Sequence, residues 1–341
     1  MRKIDSSFKQ TTGQSAAVET RQLKNLCENW HLAGDIARHS PRTLGSRREL
    51  LDKLIWFLQD RKIETCDVHA LRRFFQHVTH GHKEPNGRWG NPRNRKPTSP
   101  GTSATYDRIL RAFFNWLINQ EDIEVSPMAK IPKPQDRPDQ VQPFSDDHLL
   151  HLIAQSRKTT HPRRDEAIIL LLLDTGLRAS ELCGLSVCDL DLQEQCITVR
   201  HGKGDKVRNV PISSPTRKAL YHYLNERESE PGEALFLSDR GHAAGDGLTR
   251  IGLMRLINRL CHSAGIQGVR CSPHTLRHSF ALGFLKNGGN QFSLMALLGH
   301  TSLAMTSRYV ALSQADVARQ HRHYSPVANL RASSAGKRTG K

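Results

Sequence analysis

Two arginines, a lysine, two histidines and a tyrosine sit in five short segments in the second half of this chain. They are Arg178 in Gly176-Leu177-Arg178, Lys203 in Gly202-Lys203-Gly204, His274 and Arg277 in His274-Thr275-Leu276-Arg277-His278, His300 in Leu298-Gly299-His300, and Tyr309 after Arg308. These side chains form a kit for attacking a phosphodiester without a metal. Guanidinium forks bond the non-bridging oxygens bidentately and neutralise charge. A cationic side chain gives a proton to the leaving oxygen, and a phenol supplies the nucleophile.

Each segment also has a plainer reading. His274, Arg277 and His278 fall at i, i+3 and i+4, on one face at the start of a helix, where the positive end of the helix favours an anion. The same spacing fits a capped helix start, and two histidines at i, i+4 also fit zinc, although no Glu lies between them and an arginine does. Arg178 follows Thr175-Gly176, a break after a buried helix, and Glu181 either orients it for a substrate or merely pairs with it. Lys203 lies between two glycines at a hairpin tip, free to reach a substrate or simply exposed. Lys206 and Arg208, beyond that tip, are its rivals and could instead touch a nucleic-acid backbone. Tyr309 shares a helical face with Met305 and Leu312, so it could belong to a core. His278 reads as structural.

The elements that carry these residues are mostly helices. In the front half the 3.6-residue pattern runs from Arg21 to about Leu58, with Ser40 as a cap and Pro41 in the first position of a second helix. A third helix is predicted over Val68 to Val78 and a fourth over Ser103 to Asn119. In the latter Tyr106, Leu110, Phe113, Phe114 and Leu117 line a core side. Residues 80–101 between them are rich in Gly, Pro and Asn, carry five Lys/Arg against one Glu, and cannot be helical. This basic loop is expected to lie over Trp89 and to contact a DNA backbone or solvent. Residues 1–20 read as a flexible tail, and 127–143, with five prolines, as a linker.

Beyond the linker, helices are expected over Ser145 to Ser156, Arg164 to Asp174, Pro215 to Asn225, Leu248 to Ala264 and His274 to Leu285. Further helices are expected over Gln291 to Leu298, Ser302 to Leu312 and Gln314 to His323. Two alternating strands, Cys196 to Arg200 and Lys206 to Ile212, flank the Gly202/Gly204 turn. The expected domains are therefore 21–126, all helical, and 144–326, helical with a small antiparallel sheet. The basic residues 327–341 read as a disordered tail.

The formal charge is +17 over 341 residues, which points to a polyanionic partner. No run of about eighteen apolar residues offers a membrane span, and the start lacks the apolar core of a signal peptide. The seven cysteines contain no Cys-x-x-Cys pair, as expected of reduced thiols in the cytoplasm. No Gly-x-x-x-x-Gly-Lys-Ser/Thr loop or carboxylate cluster for Mg²⁺ is found, so no cofactor and no metal are expected.

Taken together, Thr-Gly-Leu-Arg-Ala-Ser-Glu-Leu, Gly-Lys-Gly-Asp-Lys-Val-Arg-Asn-Val-Pro, His-Thr-Leu-Arg-His-Ser-Phe-Ala, Leu-Leu-Gly-His-Thr and Thr-Ser-Arg-Tyr-Val resemble the motifs of the tyrosine recombinase, or phage-type integrase, family. The likeness covers about residues 20–326. It implies a SAM-like helical core-binding domain ahead of an α+β catalytic domain. It also implies double-stranded DNA as substrate, a homotetramer on two DNA sites, and room for an accessory or partner recombinase. By the same resemblance Tyr309 attacks a DNA phosphate to give a 3′-phosphotyrosine, and Arg178 and Arg277 clamp the non-bridging oxygens. Lys203 then protonates the 5′-oxygen, His274 assists proton removal from Tyr309, and His300 donates to the phosphate. A DNA-binding regulator that keeps the fold without strand exchange, and a type IB topoisomerase, are the other classes compatible with such residues.

Overall fold

A computed structural model describes residues 17–82, 87–134, 142–200, 207–227, 229–239 and 245–299. Its contacts divide the chain into two compact units, 1–139 and 140–341. Both are mainly helical, with small antiparallel sheets.

The front unit is built on α1 (Thr20–Ile36), α2 (Pro41–Asp60), α3 (Val68–Thr79) and α4 (Pro100–Asn119). Ser40 caps α2 by accepting from the Thr43 amide at 3.2 Å, with Pro41 as the first helical residue. Ser99 and Pro100 repeat the device, the Thr102 amide donating to the Ser99 hydroxyl at 3.3 Å. The fourth helix therefore starts three residues before the expected Ser103. Proline at N1 loses no hydrogen bond and brings a pre-set φ, and the serine satisfies an orphan amide. The apolar faces enclose Leu54, Leu58, Phe74, Leu110, Phe113, Phe114 and Leu117, all fully buried, so the aromatic residues of α4 below Tyr106 are core.

Three sequence expectations shift here. The tail ends earlier than residue 20, because Val18–Glu19 (β1) pairs antiparallel with Thr65–Cys66 (β2) and Val18 is buried. The prolines from 127 do not all lie in a linker. Pro127–Lys130 forms a 3-10 turn, Met128 and Ile131 enter the core, and the Arg111 guanidinium donates to their carbonyls at 2.8 and 2.6 Å. The 80–101 loop is pinned at several points. Arg88 turns inward and donates to the Val78 carbonyl at 3.0 Å, while Arg93, Arg95 and Lys96 remain exposed. Trp89 packs against Trp56, Phe74 and His77 at centroid distances of 5.9, 5.8 and 5.1 Å.

The second unit is organised around α6 (Pro162–Thr175), which packs against α5 (Asp146–Ser156), α8 (Ser214–Leu224) and α10 (Pro273–Lys286). The run Ile168-Ile169-Leu170-Leu171-Leu172-Leu173 is apolar on successive faces, and such a helix must be covered on several sides. α7 (Ala179–Cys183), α9 (Arg250–Ser263) and α11 (Gln291–Leu298) complete the helical part. The sheet has the order β3 (Leu190–Asp191), β4 (Cys196–Val199), β5 (Arg208–Pro211), all antiparallel, with Val199 opposite Arg208. β3 was not anticipated, being only two residues long. Arg164 and Asp165, both buried, pair at 2.7 Å, and Arg164 also reaches Asp239 at 3.1 Å, tying α6 to the segment before α9. Among the described residues no helix is long and apolar enough to cross a membrane. The helices expected over 302–312 and 314–323, and the tail 327–341, lie outside the described residues.

Candidate active site

The site begins where α6 ends. Gly176 adopts φ +60° and closes the helix in the left-handed region that favours glycine. A Cβ there would come within 2.3 Å of the Phe280 ring and 2.9 Å of Leu298, so glycine also lets α10 and α11 approach. Two residues on, Arg178 starts α7, and Glu181 reaches back to accept from the Arg178 amide at 2.8 Å. That bond orients the carboxylate, whose side chain is only 1% exposed.

Glu181 then gathers guanidinium groups from separate elements. Arg178 Nη1 donates to its Oε1 at 2.7 Å. Arg208, from β5, donates through Nη1 to Oε1 at 3.1 Å and through Nη2 to Oε2 at 2.8 Å. Arg277 Nη1, from α10, lies 4.0 Å from Oε2. Burial alone pushes the Glu181 carboxyl up, but the bonds from Arg208 and from the Arg178 amide and guanidinium outweigh it. The group is held below the usual carboxylate range and stays ionised.

The same three arginines meet a second acceptor, the C-terminal end of α11. Arg208 Nε donates to Leu297 O at 3.0 Å, Arg277 Nη2 to Leu298 O at 2.8 Å, and Arg178 Nη2 to Gly299 O at a longer 3.4 Å. Arg277 Nη1 also holds Gly176 O at 2.6 Å. A helix end leaves such carbonyls without intrahelical partners and carries partial negative charge. One carboxylate and one helix end thus stand against three fixed positive charges. The surplus is positive, and the site favours an anion. Arg277 is buried, whereas the Arg178 side chain is 28% exposed.

His274 lies in the first turn of α10, one turn before Arg277. Ser272 caps that helix by accepting from the Thr275 amide at 3.2 Å, with Pro273 at its first position, as expected. His274 is exposed and His278 buried, and among the described residues no third potential ligand joins them as a metal site. Of the six candidate residues, Arg178, His274 and Arg277 are described, and Arg178 and Arg277 converge on the end of α11. Lys203, His300 and Tyr309 lie outside the described residues.

Arg208 changes its meaning. Considered from sequence as a rival to Lys203 or a DNA-backbone contact, it instead turns its fork into Glu181, with its side chain 14% exposed. The signal was available in principle. Strand alternation puts Arg208 on the same face as the buried Val210, and a cation directed inward needs a carboxylate.

The model of the phage integrase family matches this chain over residues 143–316. A tyrosine recombinase XerD of Lacticaseibacillus casei is 35% identical over 291 residues, covering 82% of this chain and 91% of the relative. A tyrosine recombinase XerD of Listeria innocua is 32% identical over 237 residues, 67% of this chain and 78% of the relative. Among solved structures, the Tn1549 transposon integrase in complex with transposon right end DNA aligns with a TM-score of 0.67 at 19% identity, covering 86% of this chain and 94% of that one. That likeness is one of fold.

Proposed function

Since this chain belongs to the phage integrase family and is a tyrosine-type site-specific recombinase, an enzyme that cleaves and rejoins DNA, we propose that Arg178, Lys203, His274, Arg277, His300 and Tyr309 carry its chemistry. The observation that carries this reading is the convergence of Arg178 and Arg277 on Leu298–Gly299, immediately before His300 in the sequence.

Tyr309 attacks the scissile phosphate and the 5′-oxygen leaves, giving a 3′-phosphotyrosine and a free 5′-hydroxyl. Arg178 and Arg277 hold the two non-bridging oxygens, and their charge stabilises the pentacovalent transition state. Glu181 and the α11 carbonyls fix both forks beforehand, so little reorganisation is needed at the moment of reaction. Lys203 gives its proton to the departing 5′-oxygen. His274 assists removal of the phenolic proton, and His300 donates to the phosphate. The phosphotyrosine conserves the energy of the broken bond, and attack by a 5′-hydroxyl of the partner strand reverses the step with no nucleotide cofactor.

Residues 18–131 form the core-binding domain, residues 144–326 the catalytic domain, and double-stranded DNA is the substrate. The active assembly is a homotetramer on two sites in the cytoplasm, with room for an accessory or partner recombinase. Strand exchange between duplexes distinguishes this assembly from a topoisomerase.

The test uses a duplex recovered by binding selection from randomised DNA, nicked next to the cleavage position so that the released fragment diffuses away. Wild-type protein is expected to form a covalent adduct on denaturing electrophoresis, and Tyr309→Phe none. An adduct formed by Tyr309→Phe, or none by the wild type on any selected duplex, would falsify the assignment.

A further inference from the structure

We propose that Arg208 is a positioning residue of the recombination site, which keeps Arg178 and Arg277 in register by locking the end of α11 onto Glu181. The inference rests on the reading above and extends it to a residue that touches no reacting atom.

Three of its five N–H donors reach two acceptors at different depths. The Nη1/Nη2 edge spans both oxygens of Glu181 at 3.1 and 2.8 Å, while Nε holds the Leu297 carbonyl at 3.0 Å. Only a planar fork can bond a carboxylate in this way and still reach a third acceptor from Nε. The plane also lies flat beneath Gly299. A Cβ on that residue would stand 3.0 Å from Nη1, 3.1 Å from Cζ and 3.3 Å from Nε. Glycine at 299, with φ +61°, therefore admits the guanidinium as well as the left-handed turn.

The consequence follows from what else is bonded there. Leu298 O and Gly299 O, the next two carbonyls, hold Arg277 and Arg178. Moving Leu297 moves both phosphate-binding forks. Without Arg208, Glu181 keeps Arg178 but loses its bidentate partner, and the end of α11 loses one of three donors. β5 packs on α11 at this contact, so Arg208 also ties the hairpin strand that follows Lys203 to the helix that precedes His300.

The experiment is single-turnover cleavage of the nicked duplex at saturating protein, in which the amplitude counts folded active protein and the rate constant reports positioning. Arg208→Met is expected to lower the rate constant by about 100-fold, the size of effect that misplacement of about 1 Å can produce, with DNA affinity within about threefold. Arg208→Lys, a point charge without the fork, recovers part of the loss. Should Arg208→Met fail to fold, Arg208→Gln, which keeps a polar planar end without the fork, carries the same expectation. In a cycle with Glu181→Gln, the double variant is expected to lose no more than the worse single one. A duplex with sulfur at the 5′-bridging position, whose leaving group needs no proton, leaves the Arg208→Met defect in place.

Rate constants within threefold of wild type, additive losses in the cycle, or restoration by sulfur (which would make Arg208 the proton donor) each overturn the inference. Adduct formation by wild type and its loss in Tyr309→Phe test the parent reading separately, because the Arg208 comparison is made only among proteins that form the adduct.

Discussion

Glu181 and Arg208 face each other with the two carboxylate oxygens bonded to the two terminal guanidinium nitrogens, at 3.1 and 2.8 Å, and the carboxylate is buried while the guanidinium is largely so. Glu181 is the only carboxylate that the three arginines share among the described residues. It is thus the common reference for an arginine cluster assembled from α7, β5 and α10.

Replacing Glu181 by Gln keeps the shape and removes the charge that holds the forks together. Cleavage is expected to slow by about 100-fold, with DNA binding unchanged or tighter, because the cluster becomes more positive. The substitution also alters the acid limb of stability. A carboxyl whose folded pKa is depressed contributes stability that is present above its unfolded value of 4.5 and is lost as pH falls through the lower folded value. In Glu181→Gln that contribution is absent at every pH. Denaturant titrations between pH 3 and 7 measure it, and identical curves for both proteins would exclude it.

Lys203 is assigned the proton for the leaving 5′-oxygen. Lys203→Ala is expected to slow cleavage by about 10²- to 10⁴-fold, the usual range for a general acid. On a substrate with a 5′-bridging sulfur most of the rate returns, since a thiolate leaves without protonation. Arg178→Ala remains slow on both substrates. A Lys203→Ala protein equally slow on oxygen and sulfur would move the role elsewhere.

His77 predicts a pH dependence of the front unit. Burial, with the nearby His82 and Arg61, lowers its pKa from 6.5 to about 4. The unfolded chain therefore binds the proton more readily between these values, and stability falls as pH drops from 6.5 towards 4. All four tryptophans lie in the front half, two of them, Trp56 and Trp89, against the His77 ring. Tryptophan emission during urea unfolding thus reads this unit. His77→Phe is expected to flatten the acid slope, and an unchanged slope would assign it to other groups.

The charge of +17 predicts an interface dominated by phosphate contacts. The logarithm of the binding constant is expected to fall linearly with the logarithm of salt concentration. Each exposed loop cation that meets a phosphate contributes a slope of about 0.9. Replacing Arg93, Arg95 and Lys96 together by Gln measures the loop's share. A slope equal to that of the wild type would leave the loop solvated.

What the sequence determined by itself was local. Ser40-Pro41, Ser272-Pro273 and the 3.6-residue spacing of apolar side chains marked helix starts and faces, because a cap and its amide lie within one turn of each other. The residue types in the five short segments pointed to phosphate chemistry, since a guanidinium stays cationic and a phenol can serve as a nucleophile once its surroundings activate it. Glu181 was legible as a partner of Arg178 because three residues separate them. The tertiary structure decided what depends on contacts between distant segments. It turned Arg208 inward, because a buried carboxylate with two oxygens needs more donors than Arg178 offers. It placed Met128 and Ile131 in the front core, where Arg111 satisfies their carbonyls, although the prolines around them read as linker. It also set Arg178 and Arg277 on adjacent carbonyls at the end of α11, because unpaired helix-end oxygens and a single buried negative charge draw guanidinium groups from three elements to one point.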